Sequence, residues 1–159
     1  MSECEERIAL AGGRQGAVVC SRATVGLAGA LRALGLPKGS GVVMPVMVCA
    51  NVVHAVRGAG LRPVFTDVEI QMGGIRMSME SGERVVDEGC RVLLAVPLFG
   101  GEISEKGLRV FAQRHELVIV EDAAQRGLTI FHRRDEEGAE VRRSGLGVCS
   151  VVSFGVGKV

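Results

Sequence analysis

Two apolar runs in this chain end on groups of opposite charge. Val118-Ile-Val-Glu-Asp-Ala-Ala-Gln125 closes on a carboxylate, Asp122. Val148-Cys-Ser-Val-Val-Ser-Phe-Gly-Val-Gly-Lys158 passes through a glycine-rich turn to a lysine. Lysine is scarce here: Lys158 is one of three, against sixteen arginines. An amine and an acid at the ends of hydrophobic strands are what a pyridoxal phosphate site needs. The amine forms a Schiff base with the cofactor, and the acid keeps the pyridine nitrogen protonated. A magnesium ion or an arginine would pair with Asp122 as well, since a carboxylate ending a buried strand needs some partner.

A third segment, Ser21-Arg-Ala-Thr24, falls where an apolar run gives way to a helical pattern. Free backbone N–H groups and the helix dipole at such a point favour an anion, above all a phosphate. A plain helix cap is the equally weighted reading of that segment. Asp67 also ends an apolar run, and capping the following loop is its favoured role. Other chemistries fail on spacing. A P-loop ending at Gly157-Lys158 would place its first glycine on Val152 and its Ser/Thr on Val159. Gly12-Gly13-Arg-Gln-Gly16 precedes a strand candidate, whereas a dinucleotide fingerprint follows one. His54, His115 and His132 are isolated, with His115 near a helix end, and no metal constellation emerges.

The elements that must position these groups alternate. Short apolar runs at Ala17–Cys20, Val42–Met44, Val64–Thr66, Val92–Val96, Leu117–Val120 and Val148–Ser153 are strand candidates. Most lack polar alternation, as expected for strands buried on both faces. Between them, Thr24–Leu34 carries Leu27, Leu31 and Leu34 on one face and stops at Gly35. Cys49–Arg57 is a second helix, ended by Gly58 and Gly60, and Ser104–Arg114 a third with Ser104 as its N-cap. The region from Glu69 to Gly89 is expected to be a loop with one short helix, and Arg133–Arg143 a charged hairpin or surface loop. Strands alternating with helices predict an α/β fold with a mostly parallel sheet and helices on both faces.

The bulk properties set the frame. With 159 residues and 47% hydrophobic content, one domain with a substantial core is expected. Net charge is +1 and aromatics are 3%, so neither nucleic acid nor an anionic membrane is expected as partner. The five cysteines are scattered, a pattern of reduced thiols. The N-terminus has no signal-peptide core, and no apolar run approaches the roughly 20 residues of a membrane span. These features predict a cytoplasmic protein.

Taken in order, the segments resemble the DegT/DnrJ group of pyridoxal-phosphate-dependent sugar aminotransferases, which share the aspartate-aminotransferase fold. Ser21-Arg-Ala-Thr-Val-Gly-Leu27 resembles the family's Ser-Ser-Gly-Thr-Ala-Ala-Leu. Ala33-Leu-Gly-Leu-Pro-Lys-Gly-Ser-Gly-Val-Val-Met-Pro45, Gly60-Leu-Arg-Pro-Val-Phe-Thr-Asp67 and Val96-Pro-Leu-Phe-Gly100 are similar to further family segments. Val120-Glu-Asp-Ala-Ala-Gln125 is nearly verbatim, and Ser153-Phe-Gly-Val-Gly-Lys158 follows the family's Ser-Phe-x-x-x-Lys. The combination of the last two is specific.

The resemblance implies roles by position. Lys158 bonds the cofactor and moves the substrate proton, and Asp122 pairs with the pyridine nitrogen. Gln125 approaches the cofactor's 3′-oxygen, while Ala23, Thr24 and Ser153 hold the phosphate. It implies amino transfer from glutamate to a nucleotide-linked keto-sugar by a homodimer. Some positions depart from the pattern. Cys49 stands where the family places an aromatic over the ring, Arg126-Gly127 follows the glutamine, Val148 replaces an aspartate, and Arg133–Arg143 reads as an insertion. Family members extend past both ends of this sequence, so residues 1–159 are expected to be an incomplete cofactor-binding large domain without the small C-terminal domain. The alternative is an inactive fragment, or a structural or interaction module of the same fold. Related dehydratases carry histidine where Lys158 stands.

Overall fold

The computed structural model describes residues 1–71, 74–98, 104–125, 133–134, 140–141 and 146–154. The chain opens with a helix that the periodicity did not predict, α1 (Glu3–Ala11). Its start is a capping box. The Glu5 carboxylate accepts from the Ser2 N–H at 2.8 Å, and the Ser2 hydroxyl accepts from the Glu5 N–H at 3.4 Å. The chain then runs as coil through 17–20, which corrects the strand expected at Ala17–Cys20. Val18 and Val19 are 82% and 57% exposed there. β-branched residues make a strand only where a neighbouring strand and a core face receive them.

The alternation downstream holds. Helix α2 (Ala23–Ala33) leads to β1 (Gly41–Pro45), and α3 (Ala50–Gly58) to β2 (Arg62–Thr66). The region expected to be a loop with one helix contains more order than that. It forms an antiparallel hairpin, β3 (Val68–Gln71) with β4 (Gly74–Met77), followed by the short helix α4 (Met79–Val85). Polar residues on the hairpin hid its alternation from a search for apolar runs. Next come β5 (Cys90–Ala95), α5 (Glu105–Arg114) and β6 (Val118–Asp122). Ser104 caps α5 as predicted, its hydroxyl accepting from the Gly107 N–H at 3.3 Å. The charged segment holds a small antiparallel pair, β7 (Arg133–Arg134) with β8 (Glu140–Val141), and β9 (Cys149–Val151) follows.

The central sheet has the order β2-β1-β5-β6-β9, and every pairing in it is parallel. Each face is apolar and each is covered. On one side Val42, Met44, Val92, Leu94, Val120 and Val151 pack against Leu27 and Leu31 of α2 and Val52 and Val56 of α3. On the other, Val43, Leu93, Ala95 and Ile119 pack against Leu108 and Phe111 of α5. Gly82 of α4 sits flat on the Phe111 ring, where a Cβ would lie 3.0 Å from it. The fold is therefore α/β, with a parallel sheet between two helical layers, as the alternation requires.

Candidate functional site

All five strands of the sheet run the same way, so their C-terminal ends form one rim. Ligands of open α/β sheets collect at this rim because helix N-termini and loop donors converge there. Asp122 closes β6 on it. The residue is 7% exposed, and one carboxylate oxygen accepts from the Ala124 N–H at 3.1 Å. Successive strand residues face opposite sides. Val120 belongs to the core under α2 and α3, so Asp122 faces that layer too.

Helix α2 brings a second component. Its first residues are Ala23 and Thr24, and its N-cap, Arg22, makes no side-chain capping bond. The early N–H groups of a helix have no partner within it and carry the positive end of the dipole. This turn lies over the end of β9. A Cβ on Gly26 would sit 3.7 Å from the Val151 methyl, and Val151 is the register partner of Asp122. The α2 N-terminus and the Asp122 carboxylate thus flank one residue. Ser153 follows two residues after β9 and is half-buried, while Gln125 follows β6 and is exposed. The structure therefore gathers Ala23, Thr24, Asp122, Gln125 and Ser153 at one end of the sheet. Lys158 and Arg126-Gly127 lie outside the described residues.

The remaining sequence candidates sort by placement. Asp67 is exposed and its carboxylate lies 3.8 Å from Arg84. Its N–H donates to the Ser81 hydroxyl and its carbonyl accepts from the Ser78 N–H, so it ties the end of β2 to α4. A strand, β3, follows it where a loop was expected. Cys49 is the exposed N-cap of α3, on the segment that leaves β1 at the rim. His115 is the C-cap of α5, as its position near a helix end suggested. Its Nε2 lies 2.8 Å from a Glu83 oxygen. Burial pushes the Cys149 thiol above its ordinary range, and the Arg14 charge offsets part of that. Among the described residues, no group of three acids, histidines or cysteines could hold a metal. No described helix is long and apolar enough to cross a membrane.

The sequence reading passed over Glu121. It is 3% exposed and points away from Asp122, into the layer of Ala95 and Ile119. Ser150 donates to it at 2.9 Å, and Arg14 donates to Ser150 at 2.7 Å. The signal was present: two adjacent acids on one buried strand must face opposite sides, so the second also needs a partner.

A parallel sheet between helical layers, with a helix N-terminus and a buried carboxylate at one rim, fits the large-domain fold of pyridoxal-phosphate-dependent transferases, the fold of the aminotransferase structures on which this chain superposes. The profile of the DegT/DnrJ/EryC1/StrS aminotransferase family matches residues 1–159, and the chain belongs to that family. It is 28% identical over 109 residues to GDP-perosamine synthase of Vibrio cholerae, covering 69% of this chain and 29% of that one. It is 32% identical over 108 residues to UDP-N-acetyl-3-dehydro-alpha-D-glucosamine 3-aminotransferase of Acidithiobacillus ferrooxidans, covering 68% and 29%. Among solved structures, DesI in the presence of its TDP-sugar product superposes with a TM-score of 0.76 at 32% identity. That match covers 96% of this chain and 36% of DesI. The chain thus spans less than a third of the length of these two curated relatives. Family membership indicates pyridoxal phosphate as the cofactor; one structural neighbour, from Bacillus subtilis, carries bound PMP, its aminated form.

Proposed function

We propose that this chain is the cofactor-binding part of a nucleotide-sugar aminotransferase, a partial large domain that holds pyridoxal phosphate at the strand-end rim. The observation that carries the reading is the pairing of a buried carboxylate, Asp122, with the α2 N-terminus beside the same residue, Val151. The two match the two charged ends of the cofactor, its cationic ring nitrogen and its phosphate. When bound, the cofactor supplies an electron sink that lets an amino group and a proton move between two carbon skeletons.

The chain's own residues bind and orient. Asp122, buried at the rim, would accept the ring N–H and hold that proton in place. Ala23 and Thr24 donate backbone N–H groups, and Thr24 its hydroxyl, to the phosphate, with Ser153 donating from the facing strand end. Gln125 hydrogen-bonds the ring oxygen. Lys158 would be the residue that holds the cofactor covalently, and its amine would serve as the proton carrier. The amino acceptor is a nucleotide-linked keto-sugar and the donor an amino acid, with glutamate the first to try. The relatives' names support the sugar class. A homodimer in the cytoplasm completes the reading, supported by exposed Val18, Val25, Val46 and Met47 and by the scattered spacing of the five cysteines.

Borohydride trapping tests it. Purified protein with pyridoxal phosphate is expected to gain a visible-edge absorbance band. Reduction should then fix one cofactor on the peptide containing Lys158, and Lys158→Ala should abolish both signals. Soluble wild-type protein that yields no adduct at saturating cofactor would overturn the reading and leave an interaction module of the same fold.

A further inference from the structure

Glu121 is a carboxylate in an apolar layer, and its compensation comes from far away in sequence. Burying a charge is costly unless it is paired and hydrogen-bonded. Ser150 is the register partner of Glu121 on β9, and its hydroxyl donates to Oε2 at 2.9 Å. The same hydroxyl accepts from Arg14 Nη2 at 2.7 Å. The other terminal nitrogen of Arg14, Nη1, donates to the Gly147 carbonyl at 2.6 Å. One guanidinium therefore grips β9 at its middle and at the turn before it, with the Ser150 hydroxyl linking it by hydrogen bonds to the buried acid.

Arg14 is itself aimed by local structure. Helix α1 ends in a Schellman motif: the Arg14 N–H donates to Ala9 O at 2.9 Å and the Gly13 N–H to Leu10 O at 3.2 Å. Gly13 takes φ +58, a conformation that a side chain disfavours. The capping box fixes one end of α1 and this motif the other, and Arg14 leaves it toward β9. Two further backbone bonds flank the β6–β9 ladder. Val148 N–H donates to Ile119 O at 2.9 Å, and Ala123 N–H to Val151 O at 2.8 Å. Asp122 lies between those two attachments, and Ser153 just beyond.

We propose that Arg14 is a positioning residue for the Asp122 end of the site. Acting through Ser150 and Glu121, it holds β9 in register on β6 and so sets Asp122 and Ser153 opposite the α2 N-terminus. The strand clamp stands on geometry alone; its consequence for pyridoxal phosphate rests on the function proposed above.

Hydrogen exchange on the whole 159-residue chain, with cofactor titration alongside, tests the proposal. In Arg14→Met the Ala123 and Val148 amides are expected to exchange at least tenfold faster. The Val46 amide, bonded to Thr66 O between β1 and β2, should keep its rate. The dissociation constant for pyridoxal phosphate should rise at least fivefold. Gly13→Val, which leaves the Arg14 side chain intact but strains its support, should give the same local pattern. Adding Glu121→Gln to Arg14→Met removes the uncompensated charge and should restore part of the protection. Unchanged exchange at Ala123 and Val148 in Arg14→Met would overturn the proposal, as would equal loss on all five strands. Wild-type protein that takes up no cofactor would sink the cofactor reading and leave the amide pattern to decide on Arg14.

Discussion

Asp122 was visible in the sequence as an acid that interrupts an apolar run, and its value depends on where the run ends. The strand stops with Asp122 buried and turned toward α2. In the reading proposed here it accepts a hydrogen bond from a cation, an interaction worth about 1.5–3 kcal/mol. Asp122→Asn should therefore weaken cofactor binding about 10- to 100-fold with little change in melting temperature, as fluorescence titration and thermal melts would show. Gly147 illustrates the opposite case, a residue with no chemistry whose smallness is required. A Cβ there would collide with the Ile119 carbonyl, because the turn before β9 touches the backbone of β6. Gly147→Ala is expected to cost about 2–3 kcal/mol, measured by urea unfolding, since neither backbone can move aside without losing the Val148 to Ile119 bond. The place of Gly147 just before Val148 matches a glycine of the family pattern, which says nothing of this contact. The contact exists only once two strands are paired.

Among the elements, those with long periodic faces were legible. Leu27 and Leu31 announced α2, and Gly35 with φ +63 stops it where the sequence suggested. Ser104 announced the start of α5. Helix α1 has no such apolar stripe, with only Ala9 buried, and its capping box at Ser2 and Glu5 was the readable sign. The hairpin β3–β4 pairs Glu69 with Arg76 and Ile70 with Ile75, a register that composition does not set. Elements also join through groups that sequence cannot pair. Glu83 on α4 meets His115 and Arg114 of α5, at 2.8 and 2.6 Å. The His115 hydrogen bond first, and the Arg114 charge after it, hold the Glu83 carboxyl below its ordinary value of 4.5. A carboxyl lowered in the folded state stabilises above that ordinary value, and the benefit is lost as pH falls through the folded one. The melting-temperature gap between wild type and Glu83→Gln should be present at neutral pH, close as pH falls through the lowered folded value, and shrink in high salt, because these groups are partly exposed.

At the scale of the whole molecule, β2 and β9 are the outer strands of the described sheet, and apolar side chains stand exposed near the rim. Val25 in the first turn of α2 and Val46 after β1 are both 53% exposed. The proposed homodimer predicts concentration-dependent association in sedimentation velocity, shifted at least tenfold toward monomer by Val25→Asp with Val46→Asp. A sedimentation coefficient that stays constant with concentration would sink it. What the sequence determined by itself was the class of fold and the identity of the charged groups. Alternating apolar runs and helical faces admit few architectures, and the ordered motifs around Asp122 and Ser153 belong to one family. Only the tertiary structure decided which groups meet. It turned Ala17–Cys20 into coil for want of a strand partner. It set Asp122 and Glu121 on opposite faces. It also brought Arg14 across 136 positions to Ser150. Local propensity acts over a few residues, whereas strand order, face and the partner of a buried charge are fixed when distant segments pack, and sequence spacing carries no direct record of that.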